Sequence, residues 1–187
     1  MSTGILNPPV GPDDHFVGPA HALVTLVEYG DYECPHCGRA HVVLQAVLPG
    51  LGDQVRFIFR NFPLAEVHPH AQVAAEAAES VAAHGGNDAF WAMHDTLYEN
   101  QDALETDDLL EYALAAGIEP ALVASDLASG AMTNRVRKDF RSGIRSGVNG
   151  TPTFFVNGRR FSGDWTDPVA FAAVLREAAR TRAHATR

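Results

Sequence analysis

Cysteine is scarce in this chain, with only two among 187 residues. Two cysteines cannot build a disulfide-rich framework, and no second Cys-x-x-Cys pair exists to complete a four-cysteine zinc site. Internal repeats and low-complexity segments are also missing. With 46% hydrophobic residues, the chain is expected to fold around its own core, as one domain or as a domain with a large insertion.

The sequence also lacks the signals of export and membrane insertion. No apolar run approaches the roughly 20 residues that a membrane helix needs. The first ten residues contain no basic segment followed by an apolar one, so no signal peptide is predicted. These absences predict a cytoplasmic protein. In that compartment structural disulfides are rare, and a close cysteine pair is more often catalytic or metal-binding.

The sequence also contains few positively charged residues. Lys138 is the only lysine, and the formal net charge is −9. Nucleic acids and anionic membrane surfaces both bind proteins through a basic face. Neither is therefore expected as a partner.

The two cysteines lie three positions apart, in the segment Cys34-Pro35-His36-Cys37. The segment follows an apolar, strand-like run and opens a helical pattern. The first sulfur is thus predicted at a helix N-terminus, where unbonded N–H groups and the helix dipole favour a thiolate. A thiolate attacks disulfides, so redox exchange is the leading interpretation. Cys34 would be the nucleophile, and Cys37, one turn later and more buried, would resolve the mixed disulfide.

Strand patterns lie towards both ends of the chain, and helical patterns fill the middle. The order is β-α-β, then about five helices, then β-β-α. The economical architecture is α/β, with one sheet and an all-helical subdomain inserted between its two halves. The predicted segments are an extended lead-in at 1–19, a discontinuous sheet domain at 20–64 and 148–180, and a helical insertion at 65–147.

This layout, together with the Cys-Pro-His-Cys segment, resembles the DsbA-like branch of the thioredoxin superfamily. The segment 150–156, Gly-Thr-Pro-Thr-Phe-Phe-Val, strengthens the resemblance, which covers roughly residues 22–179. The resemblance implies a thioredoxin fold. It also implies thiol–disulfide exchange with protein thiols and disulfides, without an external cofactor and with a redox partner that recycles the pair.

The resemblance implies roles for residues around the pair. In the superfamily a cis-proline before the third strand faces the cysteines, and Pro152 stands in that place. The backbone of Thr151 would then face the substrate. The dipeptide Pro35-His36 is the one found in DsbA, and the ring or backbone amide of His36 is expected to stabilise the thiolate of Cys34.

Glu28 is an acidic residue inside the first apolar strand pattern. A carboxylate there is costly unless it is paired or protonated. The superfamily often has a buried acid at this spacing from the pair. The implied role of Glu28 is to accept the proton of Cys37 during resolution.

Whether the protein oxidises, reduces or isomerises disulfides stays open. Asp31 and Glu33 precede Cys34, and nearby carboxylates raise the pKa of a thiol, which opposes the helix dipole. A cytoplasmic setting favours a reductase, whereas the Pro-His dipeptide favours an oxidant.

A metal-binding or redox-sensing module without turnover is the alternative from another class. Its ligands would be the two cysteines with one or more of His36, His41, His68 and His70. A structural zinc site takes four ligands, commonly as two close pairs, so a site built on one pair is less favoured. An interaction domain with an inactive pair is a third possibility. His68 and His70 are otherwise interpreted as loop residues outside the site.

Overall fold

The computed structural model describes residues 4–185, so residues 1–3 of the predicted lead-in lie outside it. The predicted order of strands and helices is confirmed, with one additional strand near the start. Within the described residues the elements are β1 (His15–Val17), β2 (Val24–Gly30), α1 (Pro35–Val47), β3 (Val55–Asn61), α2 (Ala71–Glu99), α3 (Thr106–Ala115), α4 (Pro120–Ser129), α5 (Thr133–Ser146), β4 (Thr153–Val156), β5 (Arg159–Arg160) and α6 (Pro168–Ala185). None of these helices is long and apolar enough to cross a membrane.

The strands form one sheet in the order β1-β3-β2-β4-β5. β1 and β5 are the edge strands, and the inner strands β2 and β3 are buried along most of their length, which explains why they are rich in apolar residues. β4 runs antiparallel to β2, with Glu28 opposite Phe154 and Tyr29 opposite Thr153. This register aligns the end of β2 with the start of β4.

Strand β1 lies within the segment that the sequence predicts as an extended lead-in. It pairs antiparallel with β3 at the edge of the sheet. Leu6, further upstream, is 4% exposed and belongs to the core. Three residues are too few to show an alternating pattern, so the sequence gives no signal for this strand.

Contacts divide the described chain into two units. The sheet unit comprises residues 4–29, 39–60 and 142–185, and the helical unit comprises residues 30–38 and 61–141. The predicted helical insertion did not include residues 30–38, which carry both cysteines. They belong to the helical unit because backbone and side-chain groups of residues 31–34 hydrogen-bond to residues 64–70 and 101.

Helix α2 joins what the sequence predicts as two helices separated at Gly85-Gly86. The helical run is broken at Gly86, where φ is 76° and ψ is −165°, a conformation that glycine adopts readily. Downstream, Thr106 is the predicted cap of the next helix. The cap is Glu105 instead, in a reciprocal capping box with Asp108.

Each unit contains one of the two tryptophans. In the helical unit, Trp91 packs edge-on against His94, with ring centroids 4.8 Å apart. In the sheet unit, Trp165 lies 6.1 Å from Phe154, measured between ring centroids.

Candidate active site

The cysteine pair stands at the first turn of α1. The carbonyl oxygen of Cys34 accepts the N–H of Gly38 at 3.1 Å, which makes Cys34 the N-cap residue. Its own N–H donates to the carbonyl of Asp31 at 3.1 Å. Both cysteines are thiols in the structure, and Cys34 is 4% exposed against 0% for Cys37. Cys34 is the more exposed of the two, as expected, but only by a small margin.

The N-cap position has a direct chemical consequence for Cys34. The side chain at this position is placed to accept hydrogen bonds from the second and third helical N–H groups, here those of His36 and Cys37. Pro35 occupies the first helical position, where its missing N–H costs nothing and its fixed φ suits the helix. The local sequence therefore favours negative charge on the first sulfur.

Asp31 is a buried carboxylate three residues before Cys34. It accepts hydrogen bonds from the N–H of Glu33 at 2.9 Å and the N–H of Leu64 at 2.8 Å, and it lies 2.8 Å from Nδ1 of His68. Burial alone would lower the pKa of His68. The hydrogen bond and charge of Asp31, with smaller contributions from Cys34 and Glu33, raise that pKa above its ordinary value.

Glu33 forms a second acid–histidine pair. Its carboxylate accepts the N–H of His70 at 2.6 Å and lies 3.1 Å from Nδ1 of the same ring. Nε2 of His70 lies 3.1 Å from Glu105. Carboxylates only accept, so both ring contacts are hydrogen bonds only when both ring nitrogens carry protons. The hydrogen bond to Glu33 is the main reason why the pKa of His70 is raised.

Gln101, in the loop between α2 and α3, holds the backbone around the first cysteine. Its Nε2 donates to the carbonyl oxygens of Tyr32 at 2.8 Å and Cys34 at 3.0 Å. A Cβ on residue 38 would lie 2.1 Å from Oε1 of Gln101, so this close approach depends on Gly38. Glycine inside a helix costs about 1 kcal/mol relative to alanine. The presence of Gly38 in α1 is therefore the sequence feature that indicates a close contact at this position.

Tyr32 anchors the same loop on the core side. Its hydroxyl lies 3.1 Å from Nδ1 of His94, and both residues are buried. The ring of Tyr98 packs against both of them, with centroids 5.0 Å away. The segment before the cysteines is thus fixed by aromatic packing as well as by hydrogen bonds.

A cleft of about 490 Å³ lies within the helical unit, beside the start of α1. Pro35 and Gln101 line it, so the cleft borders the residue that follows Cys34. The rest of its lining is mostly ionisable and includes Glu33, His68, His70, Asp102 and Glu105.

The other predicted site residues lie in the sheet unit. Glu28 is 1% exposed in β2. The Thr151–Pro152 peptide bond is cis and immediately precedes β4, the strand that pairs with β2. Pro152 therefore precedes the strand that pairs with the strand of Glu28, while the roles of Glu28, Thr151 and Pro152 toward the cysteines stay predictions.

His68 and His70 are the residues that the sequence interpretation left out of the site. Their contacts join them to Asp31 and Glu33, which immediately precede the pair. As for the alternative metal site, neither cysteine within residues 4–185 belongs to a group of three ligand atoms close enough to share an ion.

Solved structures with the same fold include the thiol-disulfide exchange protein α-DsbA2 from Wolbachia pipientis, with a TM-score of 0.73 and 18% identity over 88% of this chain and 86% of that chain. Oxidised BdbD from Bacillus subtilis has a TM-score of 0.77 and 24% sequence identity, over 89% of this chain and 93% of BdbD. The α-DsbA1 protein from Wolbachia pipientis has a TM-score of 0.76 and 16% identity, over 96% of each chain. The predicted thioredoxin fold with a helical insertion, of the DsbA-like kind, is thereby confirmed.

The curated proteins of similar sequence are named as Na(+)/H(+) antiporters and not as thiol–disulfide proteins. The Na(+)/H(+) antiporter NhaA 3 of Salinispora tropica is 45% identical over 175 residues, which are 93% of this chain but 26% of that protein. The chain thus spans about a quarter of the length of the curated relatives it matches. The family model described as thioredoxin matches residues 11–174. The chain therefore belongs to the thioredoxin family.

Proposed function

We propose that this chain is a thiol–disulfide oxidoreductase acting on protein thiols and disulfides. The observation that carries the proposal is the position of Cys34 as N-cap of α1, with Cys37 one turn later. Residues three apart in a helix share one face, so the two sulfurs can form a disulfide with each other. Similarity of fold to α-DsbA2 from Wolbachia pipientis, a thiol-disulfide exchange protein, supports the same proposal.

In the reducing direction the reaction has two steps. The Cys34 thiolate attacks one sulfur of a substrate disulfide, forming a mixed disulfide and releasing the other substrate sulfur as a thiolate. Cys37, once deprotonated, attacks the Cys34 sulfur and releases the second substrate thiolate. The substrate gains two electrons and the enzyme pair becomes a disulfide. The oxidising direction is the reverse of these steps.

Three further residues have the roles that the resemblance implies for them. Glu28 accepts the proton of Cys37 during resolution, and its burial in β2 is consistent with a carboxylate kept away from bulk water. Pro152 and the backbone of Thr151 bind the substrate segment that carries the reacting sulfur. Replacement Glu28→Gln should slow resolution without slowing formation of the mixed disulfide, and an unchanged resolution rate would remove Glu28 from the mechanism.

Partners and location are part of the proposal. Each turnover leaves the pair in the opposite redox state, so a second redox protein must restore it. The cytoplasmic location stays a prediction. Because the matched relatives are named as Na(+)/H(+) antiporters, trapped mixed disulfides of a Cys37→Ser variant should be sought among membrane proteins as well as soluble ones.

The decisive experiment measures the reduction potential of the Cys34–Cys37 pair. The protein is equilibrated in glutathione buffers, the remaining thiols are alkylated, and the protein mass is measured by mass spectrometry. We expect one two-electron transition. A value near roughly −120 mV would indicate a DsbA-like oxidant, and a value near roughly −270 mV a thioredoxin-like reductase.

Two matched variants complete this experiment. Cys34→Ser should abolish exchange with a disulfide substrate, and Cys37→Ser should accumulate the mixed disulfide. The proposal fails if wild-type protein shows no transition or if Cys34→Ser retains full exchange activity.

A further inference from the structure

We propose that His68 and His70 neutralise the carboxylates of Asp31 and Glu33, so that the Cys34 thiolate forms beside two net-neutral acid–histidine pairs. Loss of the protons on these pairs would then disfavour the thiolate and slow exchange. This inference rests on the proposed oxidoreductase function and assigns charge-compensating residues to the same site.

The need for compensation comes from the sequence around the nucleophile. Glu33 is the neighbour of Cys34 in the chain, and Asp31 bonds to its N–H through the backbone carbonyl. Two uncompensated negative charges so close would favour the neutral thiol. A thiol is a poor nucleophile, so an exchange enzyme with this sequence requires positive charge nearby.

The first pair is well shielded from solvent. The side chain of Asp31 is fully buried and that of His68 is 19% exposed, with 2.8 Å between Oδ2 and Nδ1. Asp31 also accepts two backbone N–H groups, from Glu33 and Leu64, which hold the carboxylate in place. A protonated His68 beside the Asp31 carboxylate makes a net-neutral pair.

The second pair is more open to water. The side chain of Glu33 is 19% exposed and that of His70 is 34% exposed. His70 also contacts Glu105, which is 75% exposed. Screening by solvent makes the second pair the weaker of the two. The effect of His68 on Cys34 should therefore exceed that of His70.

No permanent cation on the same stretch can replace the histidines. Residues 61–134 contain no lysine or arginine. On the cysteine segment 31–38 and in the lining of the cleft, the other charged and titratable groups are Asp31, Tyr32, Glu33, Cys34, His36, Cys37, Asp102 and Glu105. Arg39 follows the segment on α1 and is exposed. Apart from His36, none of the groups on the segment or in the lining can carry positive charge. Positive charge at this end of the cleft comes from imidazole.

The direction of the pH effect follows from these contacts. The pKa values of His68 and His70 are both raised, chiefly by the carboxylates that they contact, so the pairs stay protonated at higher pH than isolated histidines would. Above the raised values each pair carries a negative charge, and the Cys34 thiolate is disfavoured. Compensation is thus present on the acid side of this window and is lost on the alkaline side.

The test measures the rate of alkylation of Cys34 by iodoacetamide between pH 4 and 9, in a Cys37→Ser background. His68→Gln should lower the rate at pH 6 about tenfold, the effect of removing one nearby opposite charge. His70→Gln should lower it less, and His68→Arg should restore it. In the double variant Asp31→Asn/His68→Gln, the rate should return close to that of the parent, because the charge and its counter-charge leave together.

A purely structural role for His68 gives a different pattern. In that case Asp31→Asn and His68→Gln would each lower the rate, and the double variant would be at least as slow as either. That result, or an unchanged rate in His68→Gln across the pH range, would overturn the inference. Alkylation requires no exchange partner, so failure of this inference is distinguishable from failure of the proposed function, which the glutathione titration tests.

A second measurement needs no substitution. The coupling between two titrating groups is reciprocal. Ionisation of Cys34 must therefore raise the pKa of His68 by as much as protonation of His68 lowers the pKa of Cys34. NMR titration of the wild-type protein should therefore find a higher pKa for His68 in the reduced form than in the disulfide form. Equal values in the two forms would contradict the inference even if the variants fail to fold.

Discussion

The carboxylate of Asp14 in the sheet unit and those of Asp31 and Glu33 in the helical unit have different cationic partners. In the sheet unit, Asp14 binds the guanidinium of Arg60 through two hydrogen bonds of 2.8 and 2.9 Å, and both side chains are nearly buried. In the helical unit, the carboxylates beside Cys34 bind the imidazoles of His68 and His70. Guanidinium keeps its charge at every relevant pH, whereas imidazole does not. The first arrangement suits stability, and the second suits a site whose charge can change.

The distribution of charged residues explains why the two regions differ. Residues 61–134 contain thirteen aspartates and glutamates but no lysine or arginine. The residues of the helical unit together contain sixteen acidic side chains and four Lys or Arg, while the rest of the chain contains seven acidic side chains and ten arginines. The net charge of −9 is therefore the sum of an acidic helical unit and a weakly basic sheet unit. An acid in this stretch finds a cation either in histidine or in a residue outside the stretch, as Glu79 does in Arg135.

The largest effect is expected from breaking the arginine pair of the sheet unit. Arg60→Ala leaves the carboxylate of Asp14 buried without its cation and also removes donors from the carbonyls of Pro8 and Pro9. We expect the free energy of unfolding to fall by about 3–5 kcal/mol, nearly independently of pH between 5 and 8. Urea denaturation followed by circular dichroism measures this loss.

Arg180→Ala is the matched control for that prediction. Arg180 pairs with Glu177 on α6, where both side chains are more than 60% exposed. Its loss should cost less than about 1 kcal/mol. Equal losses in the two variants would mean that burial does not distinguish these ion pairs.

A smaller loss of stability is expected from replacing Gln101, whose neutral amide holds the backbone before α1. Gln101→Glu keeps the shape of the side chain but removes the N–H donors to the carbonyls of Tyr32 and Cys34. The free energy of unfolding should fall by about 1–3 kcal/mol, and exchange should slow because the backbone of Cys34 loses its support.

Two further variants isolate the contact of Gln101. Gly38→Ala should reproduce the slower exchange, since its Cβ meets Oε1 of Gln101. Gln45→Glu is the control, because Gln45 is exposed on the same helix α1. If Gln45→Glu slows exchange as much as Gln101→Glu does, added negative charge is responsible and the hydrogen bonds are not.

The last effect depends on pH and concerns an arginine of the helical unit. Arg135 contacts both Glu79 and Asp139, so one cation serves two buried carboxylates. Burial, opposed by Arg135 and reinforced by Glu79, raises the pKa of Asp139 to about 6. The folded state thus binds a proton that the unfolded state has already released, and stability falls as pH rises from about 4 to about 6.

Comparison with Asp139→Asn tests that sign. The variant cannot titrate at this position, so the wild type should lose stability relative to it across the pH 4–6 window. Urea denaturation at several pH values measures the difference. A difference that stays constant, or one that grows in favour of the wild type as pH rises, would contradict the raised pKa.

The fold was more predictable from the sequence than the site. Strands β2, β3 and β4 are short segments rich in apolar residues, and most helix ends follow capping residues, so local patterns suffice for most elements. Strand β1 is too short for a pattern to appear.

The site depends on contacts that leave no local pattern. The Cys-Pro-His-Cys segment is visible because its residues are adjacent. Gln101 lies 67 residues from Cys34, and His68 lies 37 residues from Asp31. Two residues so far apart in the chain produce no periodic pattern in the sequence. Their contacts are therefore visible only in the folded structure.

The placement of the two tryptophans gives each unit its own optical reporter. Trp91 lies in the helical unit and Trp165 in the sheet unit, and the chain contains no other tryptophan. Variants Trp91→Phe and Trp165→Phe would each leave a single emitting indole. Their emission spectra during denaturation would record whether the acidic unit and the basic unit melt together or one after the other.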